Sequence, residues 1–123
     1  MTLFLQAMFG LLAFDLLLAT GKFAAVHRAV LRRKVARTQG TPETTERVLR
    51  AVNLACMCYP KRALCLQRSF VTVCALRSHG VSAQMVLGAQ KVPFIAHAWV
   101  EVNGCAVNEK SNVQARYNVW ERC

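Results

Sequence analysis

A cysteine at the predicted start of a helix is the first residue of this sequence that could carry out covalent chemistry. Cys65 follows Pro60, and proline favours the first position of a helix, so Cys65 is expected in or near the first helical turn. The partial positive charge of a helix N-terminus favours the thiolate form of a cysteine. Lys61, Arg62 and Arg68 add positive charge nearby. Cys65 is therefore a candidate nucleophile.

A histidine and a glutamate follow on a predicted β-hairpin. His97 lies in the segment PFIAHAWVEV, residues 93–102, whose β-branched and aromatic content is typical of a strand. The Asn-Gly pair at 103–104 is a hairpin-turn signal, and the returning strand ends in Glu109. A thiol, an imidazole and a carboxylate are the groups that nucleophilic catalysis by a cysteine uses.

The length of the hairpin loop decides whether His97 can meet Glu109. A two-residue loop sets His97 opposite Lys110 and places Glu109 on the other face of the sheet. A three-residue loop that begins at Val102, with Gly104 in the left-handed conformation, sets His97 opposite Glu109, where a carboxylate can orient an imidazole. Asn-Gly favours the shorter loop, so a triad needs the longer loop or a bulge farther along.

Three segments, in this order and at this spacing, resemble the leader peptidase of lasso-peptide biosynthesis, a small branch of the transglutaminase-like, papain-related cysteine enzymes. They are CLQRS at residues 65–69, PFIAHAWVE at 93–101 and VNE at 107–109. The resemblance covers about residues 45–123 and corresponds to the stand-alone peptidase half of a split B protein.

This resemblance implies that Cys65 is the nucleophile, His97 the base and Glu109 the orienting acid. The family usually has Asp at the third position, and the Glu found here is one methylene longer. The implied substrate is a ribosomally made precursor peptide, cut between leader and core. A separate leader-recognition protein and a separate lasso cyclase are the implied partners, and the chemistry requires no cofactor or metal.

Two alternatives to the leader peptidase remain open. One is a transglutaminase-like amidase or acyltransferase that uses the same three residues on another substrate. The other is a non-catalytic binding module that uses the basic surface of the protein. In the second case Cys65 has no reason to be more reactive than the other five cysteines.

The charge of the chain restricts its partners. The 123 residues suffice for one domain with a modest core, and 16 Lys and Arg against 6 Asp and Glu give a net charge of +10. An acidic peptide or protein, an anionic membrane surface and nucleic acid would all be attracted. We predict no nucleic-acid binding, because aromatic residues are not interleaved with the basic ones and no nucleic-acid motif occurs.

The six cysteines favour a reducing compartment. Most lie in apolar, helix-like segments, and no secretory cleavage site precedes them, so we predict reduced thiols in a cytoplasmic protein. Cys56 and Cys58 are too close together for the usual zinc pair and have no matching second pair, so no metal site is predicted.

An apolar run at residues 3–19 is interrupted by Gln6, Gly10 and Asp15. It is short for a membrane span, and Asp near its middle is unfavourable there. We expect a helix largely buried against the domain or a partner. The alternative is peripheral membrane contact, since basic residues follow at once in residues 22–37 and could meet anionic lipid.

The remaining pattern predicts an α+β fold, in which N-terminal helices and the helix of Cys65 pack on a small antiparallel sheet. Residues 1–40 are expected to form a helical segment and residues 41–123 the transglutaminase-like core. Local signals place the elements as follows: a helix over 22–35, a helix capped by Thr41 with Pro42 in its first position, the Cys65 helix to about Ser78 with Gly80 at its exit, strands over 81–90, 93–102 and 105–109, and an edge strand within 113–123.

Overall fold

Helices precede an antiparallel sheet in the computed structural model, which confirms the predicted α+β class. The structure describes residues 2–37, 39–60, 63–90, 95–107 and 117–123. The helices are α1 (Thr2–Arg32), α2 (Pro42–Cys58) and α3 (Cys65–Ser78), and the strands are β1 (Ala83–Gln90), β2 (Ile95–Val102), β3 (Cys105–Ala106) and β4 (Asn118–Arg122). The strands lie in the order β3-β2-β1-β4.

Helix α1 is continuous through the two segments that the sequence divided into an apolar run and an amphipathic helix. Gly21, at the junction, costs a helix only about 1 kcal/mol relative to alanine. Phe14 before the junction and Val26 after it are both buried in the main core, and this packing outweighs the cost. The division into residues 1–40 and 41–123 stays a prediction, although α1 and α3 share that core.

The first twenty residues of α1 are less buried than expected. Helix α1 is long and apolar enough over Thr2–Gly21 to cross a membrane by length and composition, and 17% of that stretch is buried in the protein. Asp15 accepts a hydrogen bond from the Tyr59 hydroxyl at the end of α2, and Gln67 Nε2 on α3 donates to the Leu11 carbonyl at 2.9 Å. Asp15, the charged residue that interrupts the apolar run, therefore has a hydrogen-bond donor inside the protein.

Helix α2 begins and ends where its local signals predict. The Thr41 side chain accepts a hydrogen bond from the Thr44 amide, Thr44 Oγ1 accepts one from the Thr41 amide, and Pro42 occupies the first helical position. The helix ends at Cys58, two residues before Pro60.

Helix α3 is the central element of the helical layer. It begins at Cys65 itself, and Gly80 follows its end with φ of 83°, as the predicted C-terminal signal requires. Its apolar side packs into the main core, but Ser69 and Thr72 are also fully buried. Since α1, α2 and the sheet all contact α3, its first residue has a fixed position relative to each.

Strands β1 and β2 place His97 opposite Gly88 and Trp99 opposite Val86. Side chains of a strand alternate between its two faces. Val100 packs in the main core with the helices, whereas Trp99 and Val86 form a second buried cluster. His97 therefore shares the face of Trp99, as the sequence predicts.

The hairpin between β2 and β3 has the two-residue loop. Val102 pairs with Cys105, and Asn103 and Gly104 both have positive φ, 54° and 79°, which is the conformation that Asn-Gly favours. The three-residue loop that would pair His97 with a glutamate does not form. The register continues to Val107, whose amide donates to the Val100 carbonyl at 2.9 Å. With this register, Glu109 can reach the face of His97 only through a bulge beyond Val107.

The C-terminal residues form the predicted edge strand. Strand β4 pairs antiparallel with β1, and the pairing shifts between Leu87 and Gly88. The amide and carbonyl of Cys123 extend the pairing to Met85, at 2.9 and 3.0 Å. Strand β1 lies between β4 and β2, and its residue Gly88 pairs with Val119 on β4 and with His97 on β2.

The buried guanidinium of Arg77 joins the helical layer to the sheet. Its Nη1 donates to the Val30 carbonyl at 2.7 Å and to the Arg33 carbonyl at 3.2 Å, at the end of α1. Its Nε donates to the Ala83 carbonyl at 2.9 Å, where β1 begins. Its Nη2 donates to the Cys123 carbonyl at 2.7 Å, after β4.

We expect Arg77→Met to lower the free energy of unfolding by roughly 3 kcal/mol or more, because three buried carbonyls and the partly buried carbonyl of Arg33 lose a charged donor. Urea denaturation measures the change. Arg50→Met is the matched control: Arg50 is exposed on α2 and ion-paired with Glu46 at 3.6 Å, so its loss should cost within about 0.5 kcal/mol. Equal losses for the two variants would contradict the role of Arg77.

A second prediction concerns alkaline pH. The hydrogen bond to Asp15, with burial and the Asp15 charge, raises the pKa of Tyr59 to about 12, and a contact with Gln67 opposes the rise. The folded state therefore holds this proton more tightly than the unfolded chain, whose tyrosine pKa is about 10. The stability that wild type has over Tyr59→Phe should be fully present below pH 10 and lost as pH rises from about 10 to about 12.

Urea denaturation of wild type and Tyr59→Phe over that alkaline interval checks this expectation. In an Asp15→Asn background, the difference between Tyr59 and Phe should change much less over the same interval, because the carboxylate is gone. A difference that is independent of pH in the wild-type background would contradict the assignment.

Candidate active site

A cavity of about 490 Å³ lies between the start of α3, the second half of α1 and the sheet. Its volume is in the range of pockets that hold small ligands or parts of peptides. Cys65 and His97 both line it, together with the small residues Gly88, Ala96 and Ala98. The other lining residues are Phe23, His27, Leu66, Leu87, Trp120 and Glu121.

Cys65 is the first residue of α3 and is half-buried. The preceding residue, Leu64, occupies the N-cap position, and its apolar side chain cannot accept hydrogen bonds from the amides of the first turn. These amides are therefore available to an anion or a carbonyl oxygen beside the sulfur. The predicted location of the cysteine in the first helical turn is confirmed, but Pro60 does not open the helix, since it lies five residues before Cys65.

His97 lies near the start of β2 and is half-buried. Its ring centroid is 5.9 Å from that of Trp99 and 5.4 Å from that of Tyr117, and the latter two rings are 6.0 Å apart. The imidazole thus belongs to a three-ring cluster at one end of the sheet. Aromatic neighbours on one side limit the directions in which the imidazole can turn.

Hydrogen bonds fix the position of Trp99, which lies next to His97 on the same face of β2. Its Nε1 donates to Glu101 Oε2 at 3.0 Å, and Glu101 Oε1 accepts from Arg122 Nε at 3.2 Å. Glu101 and Trp99 are buried. A Cβ atom on Gly88 would lie 3.0 Å from the Trp99 ring, so the glycine allows the indole to pack closely against β1. Trp99 is therefore part of the buried core, and its ring packs beside the imidazole of His97.

The third predicted residue, Glu109, lies outside the residues that the structure describes, and its role stays a prediction. Within the described part of the chain, Glu101 is the acid on the same face of β2 as His97. Its carboxylate is used by Trp99 and Arg122, so it serves the framework of the site.

The sequence did not predict the contribution of α1 and the C-terminal strand to this cavity. His27 is half-buried in the cavity wall, with Nε2 3.6 Å from Glu121 Oε2. Phe23 and Trp120 line the same cavity. These residues are far apart in sequence, so no local spacing indicates their proximity. The one available signal was that Phe23 and His27 lie one turn apart on a helix.

The other cysteines differ from Cys65 in their surroundings. Burial raises the pKa of the Cys56, Cys74 and Cys123 thiols above the ordinary value, the Glu121 charge adds to the rise for Cys123, and nearby arginine charge opposes the rise in all three. Cys58 and Cys105 are exposed. No group of potential metal ligands occurs in the described parts of the chain.

Comparisons with known proteins identify the family of the chain. A family model described as the transglutaminase-like superfamily matches residues 8–122. The chain is similar to the microcin J25-processing protein McjB of Escherichia coli, with 34% identity over 55 residues. That match covers 45% of this chain and 26% of the relative, so the chain spans about a quarter of the relative's length. No solved structure matches the chain significantly.

We predict that limiting iodoacetamide at neutral pH alkylates Cys65 faster than the exposed Cys58 and Cys105, although exposure alone predicts the opposite order. The expectation rests on the position of Cys65 at the start of α3 and on the cavity that it shares with His97. Peptide mapping by mass spectrometry measures the three rates. His97→Ala should slow the alkylation of Cys65. His79→Ala, a substitution at the C-terminal end of α3, should leave that rate unchanged.

Alkylation of Cys65 no faster than Cys58 and Cys105 would contradict an activated thiol. Equal effects of the two histidine substitutions would contradict the involvement of His97 in particular.

Proposed function

Because the chain belongs to the transglutaminase-like superfamily, we propose that it is a cysteine peptidase that removes the leader from a ribosomally synthesised lasso-peptide precursor. The observation that carries the proposal is that Cys65, at the start of α3, and His97, on β2, line one cavity. The similar protein is named for processing microcin J25, which supports a peptide precursor as the substrate.

The proposed reaction is amide hydrolysis through a thioester. His97 takes the proton of Cys65, and the sulfur attacks the scissile carbonyl to form a tetrahedral intermediate. This intermediate collapses as the C–N bond breaks, and His97 gives the proton to the leaving amine of the core peptide. Water, deprotonated by His97, then attacks the thioester, so that the leader leaves with a free carboxylate and Cys65 regains its proton.

Two further groups complete this mechanism. The amides of the first turn of α3 would hydrogen-bond the oxyanion of each tetrahedral intermediate, since the cap residue Leu64 does not use them. Glu109 would orient the imidazole and stabilise its charged form, provided that a bulge beyond Val107 brings it to the face of His97. The chemistry needs no metal or nucleotide.

The walls of the cavity suit an extended peptide. Leu66, Leu87 and Trp120 provide apolar surface in the cavity that Cys65 lines, and the polar pair of His27 and Glu121 lies at the same cavity. Apolar walls would bind the side chains that flank the scissile bond, and the polar pair can accept backbone or polar groups. This arrangement fits a short segment of chain better than a compact polar ligand.

The proposal includes partners. A separate leader-recognition protein would present the precursor, and a separate cyclase would close the ring of the released core. The net charge of +10 favours an acidic partner surface or leader. Since the chain covers about a quarter of its relative, these partners rest on the sequence resemblance and on charge.

An acyl-transfer enzyme that acts on a different amide is the rival proposal, because it would use the same cavity. A leader-bearing precursor separates the two. Mass spectrometry after incubation, with and without the recognition partner, should show the leader and core masses at least when the partner is present. An unchanged precursor mass under both conditions would favour the rival.

We expect Cys65→Ala to abolish cleavage and Glu109→Ala to reduce kcat/KM by roughly 10²-fold to 10⁴-fold, in line with losses on removing members of a triad. Cys105→Ala is the matched control, because Cys105 is exposed in β3 and away from the cavity, and it should retain wild-type cleavage. Liquid chromatography of the released core measures the rates. Wild-type turnover by Glu109→Ala would reassign the acid, and turnover by Cys65→Ala would overturn the mechanism.

A further inference from the structure

One side of α1 presents a row of exposed apolar side chains. With 3.6 residues per turn, their spacing places them within about 60° of arc around the helix and along about 27 Å of its length. Phe9 is 70% exposed and Leu16 is 59% exposed. We call this row the outer stripe; its members are Leu5, Phe9, Leu12, Leu16 and Phe23.

The opposite side of α1 belongs to the core of the protein. Ala7, Leu11 and Phe14 are buried there, and the Leu11 carbonyl accepts a hydrogen bond from Gln67 on α3. The one acidic residue in the α1 sequence, Asp15, is half-buried and accepts the Tyr59 hydroxyl. The outer stripe therefore carries no negative charge, although an acidic residue lies in the middle of the helix.

Basic residues follow the outer stripe at one end. Arg33, Lys34 and Arg37 are exposed in the segment after α1, whereas Arg28 and Arg32, also exposed, lie by the same helical spacing on the other side of the helix from the stripe. An apolar helix face with adjacent lysine and arginine is the composition of helices that lie in a membrane interface. Each basic residue near an anionic surface adds to the attraction.

We propose that the outer stripe docks on an anionic membrane surface, with α1 parallel to the membrane plane. Exposed apolar area and positive charge occur together on one element, which favours lipid over an uncharged protein surface. A spanning orientation is disfavoured, because it would remove Leu11 and Phe14 from the core and break the contacts of Gln67 and Tyr59.

This orientation has a consequence for the cavity. Phe23, the last member of the outer stripe, also lines the cavity that contains Cys65 and His97. Docking through the stripe therefore places the cavity beside the lipid surface. The proposal is independent of the peptidase activity, since it concerns α1 and needs no reaction.

Co-sedimentation with vesicles tests the docking. The full-length protein should bind vesicles of phosphatidylcholine mixed with phosphatidylglycerol, bind phosphatidylcholine alone weakly, and dissociate at high salt. Phe9→Ser or Leu16→Ser should weaken binding about tenfold or more, as expected for losing one buried large apolar side chain. The matched control is Met57→Ser, which removes an 81%-exposed side chain from α2 and should bind as wild type does.

A fluorescence measurement reports the position of the stripe directly. Phe9→Trp, made together with Trp120→Phe, should show a blue-shifted emission on phosphatidylglycerol vesicles and quenching by lipids brominated on the acyl chain. Circular dichroism of each variant checks that the fold is retained. Cys65→Ala should bind vesicles as wild type does, so failure of the peptidase proposal would not be mistaken for failure of docking.

Three results would overturn the proposal. The first is absence of binding to both kinds of vesicle, which would assign the stripe to a protein partner. The second is equal loss of binding by Phe9→Ser and Met57→Ser. The third is retention of the protein in cell membranes after alkaline carbonate extraction, which would indicate a spanning helix.

Discussion

The buried guanidinium of Arg77 is the interaction on which the arrangement of layers depends. It donates to carbonyls at the end of α1, at the start of β1 and after β4, so one side chain joins three elements that are distant in sequence. A buried charge is tolerated when its donors are satisfied, and five N–H groups in a fixed plane can serve several carbonyls at once. Because Arg77 is itself part of α3, the helix that begins with Cys65 is fixed relative to the sheet that carries His97.

The cavity follows from this arrangement and from a few small residues. Gly88, Ala96 and Ala98 line the cavity together with Cys65 and His97, and their lack of bulk leaves space there. Gly88 also lets the Trp99 ring pack closely, and the bonds from Trp99 and Arg122 to one buried carboxylate hold that ring beside the histidine. The sulfur of Cys65 and the imidazole of His97 thus belong to α3 and β2, two elements whose relative position Arg77 helps to fix, and the proposed proton transfer requires such a fixed relation.

Local signals in the sequence predicted most of the fold. The site was predicted only in part, because some of its residues meet through contacts that are long-range in sequence. Thr41 with Pro42, Gly80 and the Asn-Gly turn each specify backbone conformation within a few residues, and each was found where predicted. The continuity of α1 depends on tertiary packing on both sides of Gly21, which a local pattern does not contain. The contact of His27 with the C-terminal strand joins residues from opposite ends of the chain, so neither neighbourhood indicates it. The catalytic role of Glu109 stays a prediction. The turn residues favoured the two-residue loop and that loop formed, whereas the three-residue loop is the one that would set Glu109 opposite His97.

The cooperation of Cys65 and His97 across one cavity is tested most directly by trapping the acyl-enzyme. A leader-bearing precursor and its recognition partner are mixed with the protein, quenched in acid within the first turnover and analysed by intact mass and peptide mapping. The mechanism predicts an adduct on Cys65 with the mass of the leader less one water, present in the wild type and strongly reduced in His97→Ala. Release of core peptide with no adduct on Cys65, or undiminished adduct formation in His97→Ala, would contradict it.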